Sequence, residues 1–218
     1  EPDGLNINDG CGSTHMEKLC RFVTDEKCDL GIAFDGDADR MLAVDSSGNC
    51  VDGDVIMAII GSYMQSRGCL SNNTIVVTVM SNMGLDIFAR ENGLRLEKTA
   101  VGDRYVLENM QQNHYNLGGE QSGHIILLDH ATTGDGMLSA LWLLKALREM
   151  NLTLAEAARI MKVLPQVVKS ARVLNGNKEK AMNDEEIKRL CRQKEEALNG
   201  KGRVLVRASG TEPVIRVM

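Results

Sequence analysis

Residues 74–100 read TIVVTVMSNMGLDIFARENGLRLEKTA. The first seven residues are an apolar, largely β-branched run, which predicts a buried strand. A helix follows near 84–92, and LRLEKTA at 94–100 predicts a second strand. Two strands joined through a helix pair in parallel within one sheet. Outward from this unit the alternation continues. Upstream, a short strand at 5–8, a helix across 14–27 and a strand at 30–34 form another βαβ pattern. MLAVDSSGNCVDG at 41–53 reads as strand, Ser-Gly turn and return, with Asp54 as the cap of a helix at 55–66. Downstream come a helix at 103–113, strands at 116–120 and 124–128, and a helix at 135–150. Strands alternating with helices predict an α/β fold, a mixed sheet covered by helices in three layers.

From about residue 166 the texture changes. QVVKSARVL predicts a strand, NDEEIKRLCRQKEEAL a charged amphipathic helix, and GRVLVRASGTEPVIRVM two strands around a Ser-Gly turn. This predicts a small α+β C-terminal domain, cut short. The chain opens in EPDGLNIN without an initiator methionine and stops within a predicted strand, as expected of a fragment.

Composition removes several function classes. The 218 residues carry a net charge of -5 and only 3% aromatic residues, where a nucleic-acid binder needs a basic face or stacking platforms. No apolar run has the length of a membrane span, and the first residues do not resemble a signal peptide. Cysteines at 11, 20, 28, 50, 69 and 191 form no C-x-x-C pair, so they predict reduced thiols in a cytoplasmic protein.

Three clusters carry chemistry. In IAFDGDADRMLAV at 32–44, Asp35, Asp37 and Asp39 alternate, and a nearly extended loop would turn all three to one side. Such carboxylates repel one another unless a hard cation sits among them, Mg²⁺ above all. An acidic surface loop is the plainer alternative. An EF-hand fails, because Arg40 and Ser46 stand where Gly and Glu are needed. A haloacid-dehalogenase-like phosphatase, with Asp35 as nucleophile, leaves the third aspartate and Arg40 unused.

GGEQSGH at 118–124 offers Glu120 as acceptor, Ser122 as hydroxyl and His124 as imidazole, on one side if the segment alternates. The set suits sugar hydroxyls, with His124 as general acid or base; a polar turn with a satisfied histidine is the alternative. RASGTEPVIR at 207–216 places Ser209, Gly210 and Thr211 in a turn flanked by Arg207 and Arg216. Backbone N–H groups and guanidinium forks suit a phosphate; a plain hairpin is the alternative. Asp103 and Arg104 open a predicted helix, where a second phosphate or a simple cap fits.

In this order and spacing, DGDADR, GEQSGH and RASGTEPVIRVM resemble the α-D-phosphohexomutase superfamily, over essentially the whole chain. DGLNIN, TVMSNMGL, TAVGDRYV and Gln121 resemble its amino-sugar branch more than the phosphomannomutase or phosphoglucomutase branches. The resemblance implies domain 2 to residue 48, domain 3 over 49–163 and part of domain 4 over 164–218. It implies a phosphotransferase-type isomerase acting on a hexosamine phosphate, glucosamine 6-phosphate to the 1-phosphate, through a 1,6-bisphosphate. Asp35, Asp37 and Asp39 would hold Mg²⁺, with Arg40 beside the transferred phosphoryl group and His124 near the reacting oxygen. Glu120 and Ser122 would meet the sugar, and Arg207, Ser209, Gly210, Thr211 and Arg216 the phosphate that is not transferred. The superfamily's nucleophilic serine lies in a loop resembling T-A-S-H-N-P, which nothing in this chain matches. The chain is therefore expected to be inactive alone, and a non-catalytic sugar-phosphate-binding module is the alternative from another class. Ala38 stands where many members have Gly, a change expected to be harmless if the backbone is ordinary there.

Overall fold

β-branched residues line both faces of Thr74–Thr78, and all five are buried. The structure, a computed structural model, describes residues 3–210 and 212–218. They divide into two compact units, 1–163 and 164–218.

The first unit begins with α1 (Glu17–Asp25), β1 (Leu30–Phe34), β2 (Met41–Asp45), β3 (Cys50–Val51) and α2 (Gly53–Ser66). There follow β4 (Thr74–Thr78), α3 (Met83–Glu91), β5 (Arg95–Thr99), α4 (Asp103–Asn113), β6 (Leu117–Gly119) and β7 (Ile125–Leu127). α5 (Gly136–Met150) and the short α6 (Leu154–Ala157) complete it. The larger sheet has the order β5-β4-β6-β7. β4 is parallel to β5 and β6, and β7 returns antiparallel to β6, so the sheet is mixed.

Alternation along β4 builds the layers. Ile75 and Val77 join the main core with α2, α3 and α5, whereas Val76 packs with Val106 and Met110 of α4. Ile56, Met57, Ile59 and Ile60 of α2 are wholly inaccessible to solvent, as a helix apolar on most of its surface must be.

Upstream, β1, β2 and β3 form an antiparallel sheet with α1 against it. The expected strand at 5–8 is a succession of turns, with Leu5 and Ile7 exposed, and no strand there pairs with β1 among the described residues. α1 is shorter than the expected 14–27. The Ser-Gly turn between β2 and β3 closes as expected, because the Asp45 carboxylate accepts the N–H groups of Ser47 and Asn49. Asp54 is not the cap of α2. Asp52 is: its Oδ1 accepts the Val55 N–H at 3.1 Å, while Asp54 is buried and accepts the Asn82 N–H at 2.7 Å.

The second unit holds β8 (Lys169–Arg172), α7 (Lys178–Met182), α8 (Glu185–Ala197), β9 (Val206–Ala208) and β10 (Val214–Val217). Its sheet is antiparallel with β10 in the centre. α8 starts where Asp184 accepts the N–H groups of Glu186 and Ile187. All six cysteines carry free thiols, and the sulfurs of Cys20 and Cys50 are 3.4 Å apart.

Candidate functional site

The aspartate segment is a turn, not the extended loop that alternation predicted. Ala38 has φ +58°, in the left-handed region, and its N–H reaches the Asp35 carbonyl at 3.2 Å. The turn brings the carboxylates together nonetheless: Asp35, Asp37 and Asp39 each offer an oxygen, all within 4.8 Å of one another. The Asp35 Oδ1 accepts the Arg40 N–H at 3.1 Å. The Arg40 Nε stands 3.7 Å from Asp35 and 3.9 Å from Asp39. Burial, and then the hydrogen-bonded Asp35 carboxyl, raise the Asp39 carboxyl above its ordinary range, with His124 opposing them.

The GEQSGH segment is also a turn. The Gly123 N–H bonds to the Glu120 carbonyl, and Glu120 N–H to the His124 carbonyl, closing the hairpin between β6 and β7. Gly123, at φ +93°, meets β2 so closely that a Cβ there would lie 2.3 Å from the Met41 carbonyl oxygen. The three side chains have different surroundings. Ser122 is exposed, and Glu120 accepts the Gly102 N–H at 3.2 Å. His124 is buried, and its Nδ1 lies 2.9 Å from the Asp39 Oδ2. Its Nε2 accepts the Gly134 N–H at 3.0 Å. Gln121 Nε2 donates to the second oxygen of the capping Asp52 at 3.0 Å.

The two turns are stitched by main chain as well. Arg40 and His124 form a β-bridge, Met41 N–H bonds to the Gly123 carbonyl, and Gly136 N–H to the Ala38 carbonyl. Gly136 opens α5 against the aspartate turn: a Cβ there would be 2.8 Å from the carbonyl oxygens of both Ala38 and Arg40. Gly134 and Gly136 escaped the sequence reading. The only signal for them is the close pair of glycines in TTGDG around Asp135, the cap of α5.

Asp103 is the first residue of α4, behind a Gly102 cap, and its Oδ2 is 3.9 Å from the His124 Nε2. Arg104 turns away, donating to Glu108 at 2.7 Å.

In the second unit, Arg207 and Arg216 are direct cross-strand partners on β9 and β10. Like charges in that position repel. Glu212 pairs with Arg216. Ser209 is buried; its Oγ accepts the Glu212 N–H at 3.2 Å, and its carbonyl accepts from Lys178 Nζ at 2.7 Å. Lys178 was not singled out in the sequence, since nothing local ties NKEK to the turn. Gly210 has open space around its Cα. Thr211 lies outside the described residues.

Residues 52–164 match the family described as phosphoglucomutase/phosphomannomutase, alpha/beta/alpha domain III, and residues 144–218 match its C-terminal domain. The chain belongs to the phosphoglucomutase/phosphomannomutase family. Among its relatives, the phosphoglucosamine mutases of Ruminiclostridium cellulolyticum and Acetivibrio thermocellus are 62% and 59% identical over the whole chain. The chain spans 49% of each of those two proteins, about half their length. The fold also matches the crystal structure of Aspergillus fumigatus N-acetylphosphoglucosamine mutase in complex with GlcNAc-6P and magnesium. That match has a TM-score of 0.72 at 21% identity, and covers all of this chain and 50% of the other.

Proposed function

We propose that this chain forms the cation-, sugar- and phosphate-binding part of a phosphoglucosamine mutase, which interconverts glucosamine 6-phosphate and glucosamine 1-phosphate. The identity to phosphoglucosamine mutases along the whole chain supports the substrate. The observation that carries the reading is the convergence of Asp35, Asp37 and Asp39 in one turn.

Those carboxylates fit Mg²⁺. They are hard oxygen donors, and the Asp39 Oδ1 is buried and accepts no hydrogen bond among the described residues. The neighbouring Asp35 carboxyl also raises the Asp39 carboxyl, and a divalent ion would relieve that repulsion. When bound, the ion neutralises charge on the phosphoryl oxygens. The chain's own residues supply alignment, which phosphoryl transfer needs more than covalent help. Arg40, anchored through its N–H to Asp35, presents its guanidinium beside the carboxylates to the transferred group. Glu120 and Ser122 meet the sugar hydroxyls, and the start of α4 at Asp103 and Arg104 faces a phosphate of the substrate. Arg207, Ser209, Gly210, Thr211 and Arg216 hold the phosphate that is not transferred. Division into phosphohexomutase domains at 48/49 and 163/164 belongs to the same proposal.

Calorimetry with millimolar Mg²⁺ tests the carrying observation. The chain should bind the ion, and Asp37→Asn should weaken binding at least about tenfold, the loss of one charged ligand. Equal binding by both proteins would remove the turn as the site.

A further inference from the structure

Two thiols that no sequence motif joins meet in the first unit. Cys20 lies on α1 and Cys50 opens β3, 30 residues later, yet their sulfurs are only 3.4 Å apart. Packing on both sides holds them there. Val44 of β2 stands opposite Cys50 in the strand pair, and it belongs to the small core that Cys20 packs against from α1. At the β2–β3 turn, a Cβ on Gly48 would lie 2.8 Å from Thr24 Cγ2 and 3.4 Å from the Cys20 carbonyl oxygen. The turn is therefore seated on the α1 backbone at the residue that carries the first sulfur. A disulfide bond is about 2 Å long, so roughly 1.4 Å remains to close, within reach of side-chain torsion. Cys50 is exposed and Cys20 half-buried, which lets a small reagent reach the pair from solvent.

We infer that Cys20 and Cys50 form a peroxide-responsive dithiol, which closes to a disulfide tying α1 to the β2–β3 hairpin. The step balances on the two thiols and one hydroperoxide. One thiolate attacks a peroxide oxygen, the O–O bond breaks, and a sulfenic acid forms with release of water or an alcohol. The second sulfur displaces the sulfenic hydroxyl, which leaves as water, and the S–S bond forms. Two electrons pass from the sulfurs to the peroxide, and both thiol protons end on the departing oxygens. Desolvation, and then the hydrogen bond with Cys20, push the Cys50 thiol up to about 11, so Cys20 attacks first and Cys50 resolves. Glu17 and Asp45 press on Cys50 in the same direction, which favours a neutral peroxide over an anionic disulfide as oxidant.

Hydrogen peroxide added to the reduced 218-residue chain is the test. The chain should lose two of its six free thiols, counted by alkylation and mass. Peptide mapping should find the Cys20 and Cys50 peptides joined within one molecule, and dithiothreitol should restore all the thiols. The bridged chain should melt roughly 5 °C or more higher, because the closed loop restrains the unfolded state. Cys50→Ser, at an exposed position, should melt as the reduced chain does and lose both the bridge and the peroxide-induced rise. Both thiols left free, a bridge to any other cysteine, or irreversible oxidation to sulfinic acid would each overturn the inference. So would a bridged chain that melts no higher than the reduced one, or a Cys50→Ser variant that keeps the rise.

Discussion

Ala38 shows what a single residue contributes to the aspartate turn. Its φ of +58° is where a Cβ crowds the following carbonyl, so the ordinary backbone on which a harmless methyl group depended is not met there. The strain is accepted because the turn is held at both sides, by Ala38 N–H on the Asp35 carbonyl and by Gly136 N–H on the Ala38 carbonyl. Ala38→Gly should therefore stabilise the chain by about 0.5–1 kcal/mol, the relief of the left-handed Cβ less glycine's extra unfolded-state entropy. Urea unfolding monitored by circular dichroism measures this. A destabilised glycine variant would mean that the turn relaxes to an ordinary φ in solution. His124 makes the complementary point. Its residue type announced chemistry, and two distant segments seat its ring, Asp39 at Nδ1 and the Gly134 N–H at Nε2.

At the scale of elements, the hairpin β6–β7 and the start of α2 form a latch. Asp52 uses one carboxylate oxygen to cap α2 and the other to accept from Gln121 in the hairpin turn. Asp52→Ala should lose both, about 1–2 kcal/mol in all, most of it the cap. Asp52→Asn keeps a capping oxygen but turns an amide against the Gln121 amide, so it should retain most of the stability while the turn loosens. Amide exchange at residues 120–123 separates the two effects. Asn should raise exchange there with little change in unfolding free energy, and identical stability losses for Ala and Asn would refute the division of roles. The same scale explains α6, which the sequence reading left out. It is four residues long, carried by the Thr153–Glu156 capping box and the burial of Leu154 and Ala157, too short to show a period.

For the whole molecule, a mutase that reacts at either end of one sugar needs a phosphate clamp that works in both half-reactions. If Arg207 and Arg216 are that clamp, removing one guanidinium should penalise both sugar phosphates alike. In the full-length protein, Arg216→Ala should weaken glucosamine 6-phosphate and glucosamine 1-phosphate by a similar factor, about 1.5–3 kcal/mol or roughly ten- to a hundredfold. Arg207→Lys should also be harmful, since a point charge lacks the bidentate fork. Kinetics in both directions, beside a melting curve, make the check. A folded Arg216→Ala protein with unchanged affinity for both substrates would leave the turn an ordinary hairpin.

Sequence by itself determined the elements and the family. β4, α3, β5, α4 and α5 announce themselves because burial imposes a period on a continuous segment, and that period is written in neighbouring residues. The three site motifs are likewise contiguous, so their residue types and order could be read directly. Only the tertiary structure decided what each side chain faces. Both loops, read as alternating, are turns, because their backbones are shaped by the Phe34–Met41 pairing of β1 with β2 and by bonds to Gly123 and Gly136 rather than by their own propensities. Asp39 and His124 lie 85 residues apart and meet at 2.9 Å only because β2 runs against the β6–β7 turn. Gly134 matters through a clash that no local pattern records. A hydrogen bond across the fold depends on the positions of two separate segments, and that information exists in neither segment alone.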